Sequence, residues 1–329
     1  MNDKICGCLL GGAMGDALGY AVEFMSYPGI VARYGEKGIT AYELHDGKAL
    51  ISDDTQMTLF TAEGLLKAKQ SGKTVLSCVY SSYINWLHTQ GGTNRFEKDS
   101  YLLTYPDLFS RRAPGNTCLN ALESGDCGTT DEPINNSKGC GGVMRTAPAG
   151  MILTSSPEEA ALHGAEAAAI THCHYMGYIP AAALSCIVYN CLHSEAELCE
   201  ILDSSMETVY RLYSDCPVIG GFRSLCEKAK AFATQNTDDA SAIHAIGGGW
   251  VGDEALAIAL YCAYKYQDGF SSALIASVNH SGDSDSTGAI LGNILGAYLG
   301  AEKLPREYKE HLELADCIAD TAARLSENA

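Results

Sequence analysis

The 329 residues predict one mainly α-helical domain, spanning 1–329, with at most a small β-hairpin. Three observations predict it. The chain shows no parallel β-α-β alternation, no repeat of fixed period and no low-complexity linker. Helix-capping patterns recur from residue 143 onward. Two distant segments also carry glycine at every fourth position: Gly7, Gly11, Gly15 and Gly19, then Gly288, Gly292, Gly296 and Gly300. Residues four apart share one helix face. Glycine inside a helix costs up to about 1 kcal/mol relative to alanine. Two bare stripes are therefore expected to lie against each other, in helices that cross or pack side by side near the centre of the fold.

In chain order, residues 5–24 read as the first glycine-striped helix, with Glu23 near its end. Residues 38–50 alternate around Asp46-Gly47, which predicts a short hairpin. Ser52, Asp53, Asp54 and Thr55 precede a helix whose buried face is Met57, Leu59, Leu65 and Leu66. A helix over 74–90 carries Trp86 into the core. Residues 91–142 are rich in Gly, Asn, Ser, Thr and Pro and read as a long loop region, of the kind that is functional or disordered. Ser156-Pro157-Glu158-Glu159 is a capping box opening a helix to about Thr171. Pro180 is expected to start another, and Ser194 to Glu197 to form a second capping box. Helices follow at 220–235, 253–267 and 305–327, with the GlyGlyGlyTrp stretch at 247–250 breaking the pattern.

Hydrophobic content of 47% and charged content of 19% describe a globular chain with a sizeable core. The formal charge of −18 argues against a nucleic-acid partner, because phosphate binding needs a basic face. No basic region followed by an apolar run opens the sequence, so a cytoplasmic location is expected. The fourteen cysteines form no C-x₂-C pair and read as reduced core thiols. A zinc site using Cys6, Cys8 or His172-Cys173-His174 lacks a second cluster of standard spacing. Small residues four apart also occur where membrane helices dimerise. Here Asp16 and Glu23 interrupt the first segment, and the apolar part of the second falls short of the roughly 20 residues a span needs. No membrane association is expected, and a monomer is.

The chemistry-bearing residues form two clusters, Ser52–Thr55 and Asp283–Thr287, each at the start of a helix. An aspartate there is commonly only a cap. Two paired acids among hydroxyls, mirrored at two places, favour the two halves of a metal site. Facing each other they supply four carboxylates, enough for two divalent cations. The donors are all oxygen, which favours Mg²⁺ or Mn²⁺ over Zn²⁺. Glu23 is a further candidate carboxylate. Gly139, Gly141 and Gly142 allow backbone to approach a ligand closely, although the pattern matches neither a Walker loop nor a dinucleotide fingerprint. Residue chemistry alone therefore reaches a metal-assisted hydrolase with a glycine-rich substrate loop, and stops short of the substrate.

Taken together, GAMGDALGYAVEF, ISDDTQMTL, RAPGNTCLNAL, SKGCGGVMRTAP, THCHYMG, GGGWVGDEALAIALY and HSGDSDSTGAILGNILGA resemble the ADP-ribosylglycohydrolase family over nearly the whole chain. The resemblance implies an all-α, compact orthogonal multi-helix bundle with a binuclear Mg²⁺ or Mn²⁺ centre at the base of an ADP-ribose cleft. It implies Ser52, Asp53, Asp54, Asp283, Asp285 and Ser286 as metal residues. Glu23, on a flap, joins Asp54, Asp283 and Asp285 as the catalytic set. Ser137, Lys138, Gly139, Cys140, Gly141 and Gly142 match the phosphate and ribose loop, His172 the cleft wall, and the GlyGlyGlyTrp stretch at 247–250, with Gly248 as its binding residue, a loop near the far end of the cleft. Some members carry Asn in place of Cys140 and an aromatic in place of Lys138. The reaction implied is hydrolysis of the bond from C1″ of ADP-ribose to an acceptor on a modified protein, with arginine expected. Serine or another O-linked acceptor and a small ADP-ribosyl metabolite are the alternatives. A phosphoesterase, and a non-catalytic ADP-ribose-binding or structural member, are the rival classes. Every matched ligand is retained, which favours an enzyme.

Overall fold

The computed structural model describes residues 1–93, 99–235, 237–267 and 269–329. The helices in order are α1 (Asn2–Tyr20), α2 (Tyr27–Tyr34), α3 (Asp53–Ser71), α4 (Val75–Thr89), α5 (Asn116–Ser124), α6 (Pro157–Ala169), α7 (Tyr175–His193), α8 (Leu198–Leu212), α9 (Ile219–Ala233), α10 (Asp239–Ile246), α11 (Gly252–Lys265), α12 (Phe270–Val278), α13 (Ser284–Leu299), α14 (Arg306–Lys309) and α15 (Ala315–Asn328). The sheet is one antiparallel pair, β1 (Leu44–His45) and β2 (Lys48–Ala49), turning at Asp46-Gly47 as predicted. The fold is all-α.

The glycine stripes are the axis of the molecule. Helices α1 and α13 run antiparallel with backbone against backbone. A Cβ on Gly7 would fall on the Gly296 carbonyl, one on Gly11 on that of Gly292, and one on Gly15 on that of Gly288. The register continues to Gly19 against Ser284. Asn293 locks it by donating from Nδ2 to the Cys8 carbonyl at 2.9 Å. Around this pair lie α15 and α3 beside α1, and α11, α12 and α7 beside α13, while α6 packs on α7 and α9 on α11. Helix α7 is long and apolar enough to cross a membrane, but 83% of its most apolar window is buried inside the fold.

Several local expectations are corrected. Helix α1 ends at Tyr20, so Glu23 stands in the turn after it. The 91–142 region is not all loop: α5 forms between Gly115 and a left-handed Gly125, burying Leu119 and Leu122; residues 94–98 lie outside the described set. Pro180 lies inside α7 rather than at its start, because His174 Nδ1 already accepts from the Met176 N–H at 2.9 Å and begins the helix upstream. Ser194 closes α7, its N–H bonding the Asn190 carbonyl at 2.9 Å, so no capping box forms there and α8 opens after Glu197. The helix expected over 305–327 is split. His311 and Leu314 take positive φ, and the segment between α14 and α15 bonds through the His311 carbonyl and the Glu313 N–H to Ala49. All fourteen cysteines are free and most are buried, in keeping with core thiols.

Candidate functional site

The register of α1 on α13 brings the two acidic clusters together. Ser52 caps α3, its Oγ accepting from the Asp54 N–H at 3.2 Å, which leaves Asp53 and Asp54 in the first turn. Asp283 caps α13 in the same way, accepting from Ser286 N–H at 3.3 Å, with Asp285 in that helix's first turn. Each pair thus sits where unpaired N–H groups and the helix dipole favour negative charge. Carboxylate oxygens of Glu23, Asp283 and Asp285 converge within 4.8 Å of one another. Asp53 and Asp54 line the same cleft of ≈ 200 Å³.

The acids crowd in a buried space, and their protonation reflects it. Burial pushes the Glu23 carboxyl up to about 9, with Asp283, Asp53 and Asp16 adding repulsion. Burial likewise lifts Asp53 to about 8. Asp54 and Asp285 are held well above the usual carboxylate range, by burial first and neighbouring carboxylates next. Two acceptors, Glu23 Oε2 and Asp54 Oδ2, are buried without a hydrogen-bond partner. Orphaned buried acceptors in an all-carboxylate cluster fit a hard divalent cation, which would supply the missing partner and reverse the repulsion.

The remaining lining comes from two loops. Gly139, Cys140 and Gly141 border the cleft with Gly115, Asn116 and Thr117. Cys140 Sγ donates to Asp283 Oδ2 at 2.6 Å, and Gly115 N–H donates to Asp53 Oδ2 at 3.2 Å. His172 lines the cleft against Gly139 and Gly141, where an added Cβ would press on its ring at 3.0–3.4 Å. Ser286 also lines it, whereas Ser52 is fully buried outside the lining, its Oγ accepting the Asp54 N–H. Four candidate binding residues stand outside the lining. The Ser137 carbonyl accepts from His174 N–H. Lys138 borders a neighbouring cavity with His174, Phe222 and Asp253. Gly142 packs on the Gly177 carbonyl of α7. The Gly248 carbonyl holds Asp283 N–H at 2.9 Å.

Three neighbours complete the surroundings; the 247–250 stretch, expected near the far end of the cleft, supplies Trp250 to it, whereas Asp16 and Arg145 escaped the sequence reading. Asp16, inside the first glycine stripe, accepts from the backbone of Ser52 and Thr55. Trp250 lines the cleft and stacks on Phe24, ring centroids 6.0 Å apart, both exposed beside Glu23. Arg145 is wholly buried behind His172. The aromatic pair has no periodic signal, since Phe24 and Trp250 meet only through tertiary structure.

The sequence profile described as ADP-ribosylglycohydrolase matches residues 1–329. The chain belongs to the ADP-ribosylglycohydrolase family. Among curated relatives, the ADP-ribosyl-[dinitrogen reductase] glycohydrolase of Rhodospirillum rubrum is 25% identical, covering 95% of this chain and 92% of its own. The ADP-ribosylarginine hydrolase Tri1 of Serratia proteamaculans is 25% identical, covering 98% of this chain and 79% of its own. A solved structure titled as an ADP-ribosylglycohydrolase-related protein complex superposes with a TM-score of 0.69 at 21% identity, covering 99% and 98% of the two chains, which supports the shared fold. ADP-ribosylglycohydrolases remove ADP-ribose from modified substrates and are in general metal-dependent. The buried acidic cluster of this chain is in keeping with that chemistry.

Proposed function

We propose that this ADP-ribosylglycohydrolase cleaves ADP-ribose from modified arginine side chains, using a binuclear Mg²⁺ or Mn²⁺ centre. The observation that carries the reading is the convergence of Glu23, Asp283 and Asp285 within 4.8 Å, in one cleft with Asp53 and Asp54. Asp53, Asp54, Asp283 and Asp285 would hold the cations, with Ser286 beside them and Ser52 Oγ accepting the Asp54 N–H. Bound there, the cations supply Lewis acidity toward substrate oxygens and water.

The chain's own residues do the rest. Hydrolysis breaks the bond from C1″ to the acceptor and forms one from C1″ to water oxygen, with a proton passing to the leaving atom. Glu23 is the group that moves this proton: its Oε2 has no protein partner, and its carboxyl is held up to about 9. Positive charge developing at C1″ is stabilised by the surrounding carboxylates. The cleft lining carries five acidic residues and neither Lys nor Arg among the described residues, an environment suited to a cationic guanidinium acceptor. The relative named for arginine hydrolysis supports the same acceptor.

The test is incubation with an arginine-ADP-ribosylated protein, with and without Mg²⁺, following free ADP-ribose by mass spectrometry. A serine-linked substrate runs beside it, and Asp285→Ala serves as the control. Release of intact ADP-ribose from the arginine substrate, dependent on metal and lost in Asp285→Ala, is expected. Release from the serine substrate alone would overturn the acceptor, and full activity of Asp285→Ala would overturn the metal centre.

A further inference from the structure

We propose that Arg145 is a positioning residue for the cleft: through Thr171 it locks the His172 imidazole in the tautomer with its proton on Nε2, so that His172 meets the substrate as a hydrogen-bond donor to an acceptor oxygen of the nucleotide sugar. The proposal rests on the ADP-ribose reading of the cleft given above.

Arg145 is 0% exposed, and among the described residues no carboxylate pairs with it. Its guanidinium lies over the Tyr83 ring, 4.5 Å from the centroid, and Nε donates to Tyr83 Oη at 2.9 Å. Nη1 donates to Cys118 Sγ at 3.2 Å. Nη2 donates to the Ala167 carbonyl at 3.2 Å and to Thr171 Oγ1 at 2.7 Å. A buried cation is costly unless its hydrogen bonds are met and its charge has a use. Here they are met by the neutral Tyr83, Cys118, Ala167 and Thr171. Cys118 and His172 both line the cleft, so Arg145 reaches it through Cys118 directly and through Thr171 and His172 in turn.

The direction of the proton chain follows from what each group can do. A guanidinium only donates, so Thr171 Oγ1 accepts from Arg145, and its own proton has two acceptors in reach, His172 Nδ1 and Cys118 Sγ, the latter already taking the Arg145 Nη1 hydrogen bond. His172 Nδ1 lies 2.8 Å from that hydroxyl, and the proposed lock assigns the proton to it. In a neutral imidazole with an accepting Nδ1, the hydrogen is on Nε2. Burial, followed by the Arg145 charge, lowers His172 to about 3, which keeps the ring neutral. Nε2 faces Gly139 and Gly141; a Cβ on either would stand 3.2 Å away, a tight contact that glycine avoids at this ring edge. Among the described residues no protein acceptor meets Nε2, which leaves its proton for the ligand. The donor stands on the wall of a cleft otherwise dominated by acids, where an anionic diphosphate or a ribose oxygen has few partners to bind.

The test reads the tautomer and the affinity separately in the full-length chain. Two-bond ¹H–¹⁵N NMR of the imidazoles, with His172→Gln to assign the signal, should show a pyridine-type Nδ1 and a protonated Nε2 for His172, with or without ligand. Thr171→Val should bind ADP-ribose about tenfold more weakly, equal to about 1.4 kcal/mol, at unchanged Mg²⁺ affinity, and Thr171→Ser should restore binding. A proton on Nδ1 in the wild type, or wild-type affinity in Thr171→Val, would overturn the lock. Should the wild type bind no ADP-ribose, the substrate reading fails while the NMR spectrum still decides the tautomer. Should Thr171→Val not fold, the spectrum and the Thr171→Ser variant decide alone.

Discussion

Both oxygens of Asp16, on α1, accept the backbone N–H of Ser52, at 2.9 and 3.0 Å. The same carboxyl takes the Thr55 N–H at 3.0 Å and the Thr55 hydroxyl at 2.5 Å. Asp16 is therefore an external cap for α3 and sets where Asp53 and Asp54 point. Asp16→Ala strands several buried donors, each costing about 1–3 kcal/mol. The variant should lose about 3 kcal/mol or more of stability and bind Mg²⁺ at least about tenfold more weakly, as read by calorimetric unfolding and titration. Metal affinity equal to wild type would remove Asp16 from any role in the centre.

Stability of the metal-free protein should fall as pH rises. Glu23 is held up to about 9 and Asp53 to about 8, burial being the leading cause for both. In the unfolded chain each ionises near 4. Between those limits the folded chain holds more protons than the unfolded one, so stability declines across about pH 5 to 8. A divalent cation favours the ionised carboxylates and displaces their protons. The rise in Tm on adding Mg²⁺ should therefore grow over the same window. Scanning calorimetry with chelator or Mg²⁺ measures both, and a Mg²⁺ effect independent of pH would contradict the assignment of these acids to the metal.

Gly292→Ala should destabilise although alanine is the better helix former. Its Cβ would fall on the Gly11 backbone, and the whole α1 stripe leaves no room to yield. Overpacking of this kind costs about 1–3 kcal/mol, against a gain of about 1 kcal/mol in propensity. Gly220→Ala, where a Cβ meets nothing within 4 Å, is the control and should be neutral or stabilising. Denaturant midpoints of the two variants settle it.

Fluorescence should report the cleft through one tryptophan. Of the two in the chain, Trp86 is fully buried with its indole N–H on Gln56. Trp250 is 45% exposed, borders the cleft and stacks on Phe24. ADP-ribose should change the emission of the wild type and leave that of Trp250→Phe flat, while calorimetry shows binding in both. A persisting signal in Trp250→Phe would place the ligand elsewhere.

The parts of this molecule that could be read from sequence are those where residue chemistry and spacing coincide. The two glycine stripes are costly in isolation, so their pairing was implied by the cost, and the contacts of Gly11 with Gly292 and Gly15 with Gly288 bear this out. The paired aspartates at two helix starts could be found because few other functions gather acids and hydroxyls so tightly. What escaped was set by tertiary context. His174 capping α7 with its ring hid the true start of that helix behind Pro180. The break between α14 and α15 exists to let His311 and Glu313 bond Ala49, a partner more than 260 residues away. Arg145 looks like a surface arginine until Tyr83, Cys118 and Thr171, from three separate segments, close around it.

The pairing of α1 with α13 also fixes a timetable. Asn293 and the Cys8 carbonyl it binds are separated by 285 residues. At about 5–20 residues per second of synthesis, α1 leaves the ribosome roughly 15–60 s before its partner helix exists. Throughout that wait its glycine face lies open and Asp16 lacks the α3–α13 enclosure that will bury it. Contacts this distant in sequence are slow to form. The two acidic clusters cannot meet before residues 283–299 have been made and α13 has docked on α1.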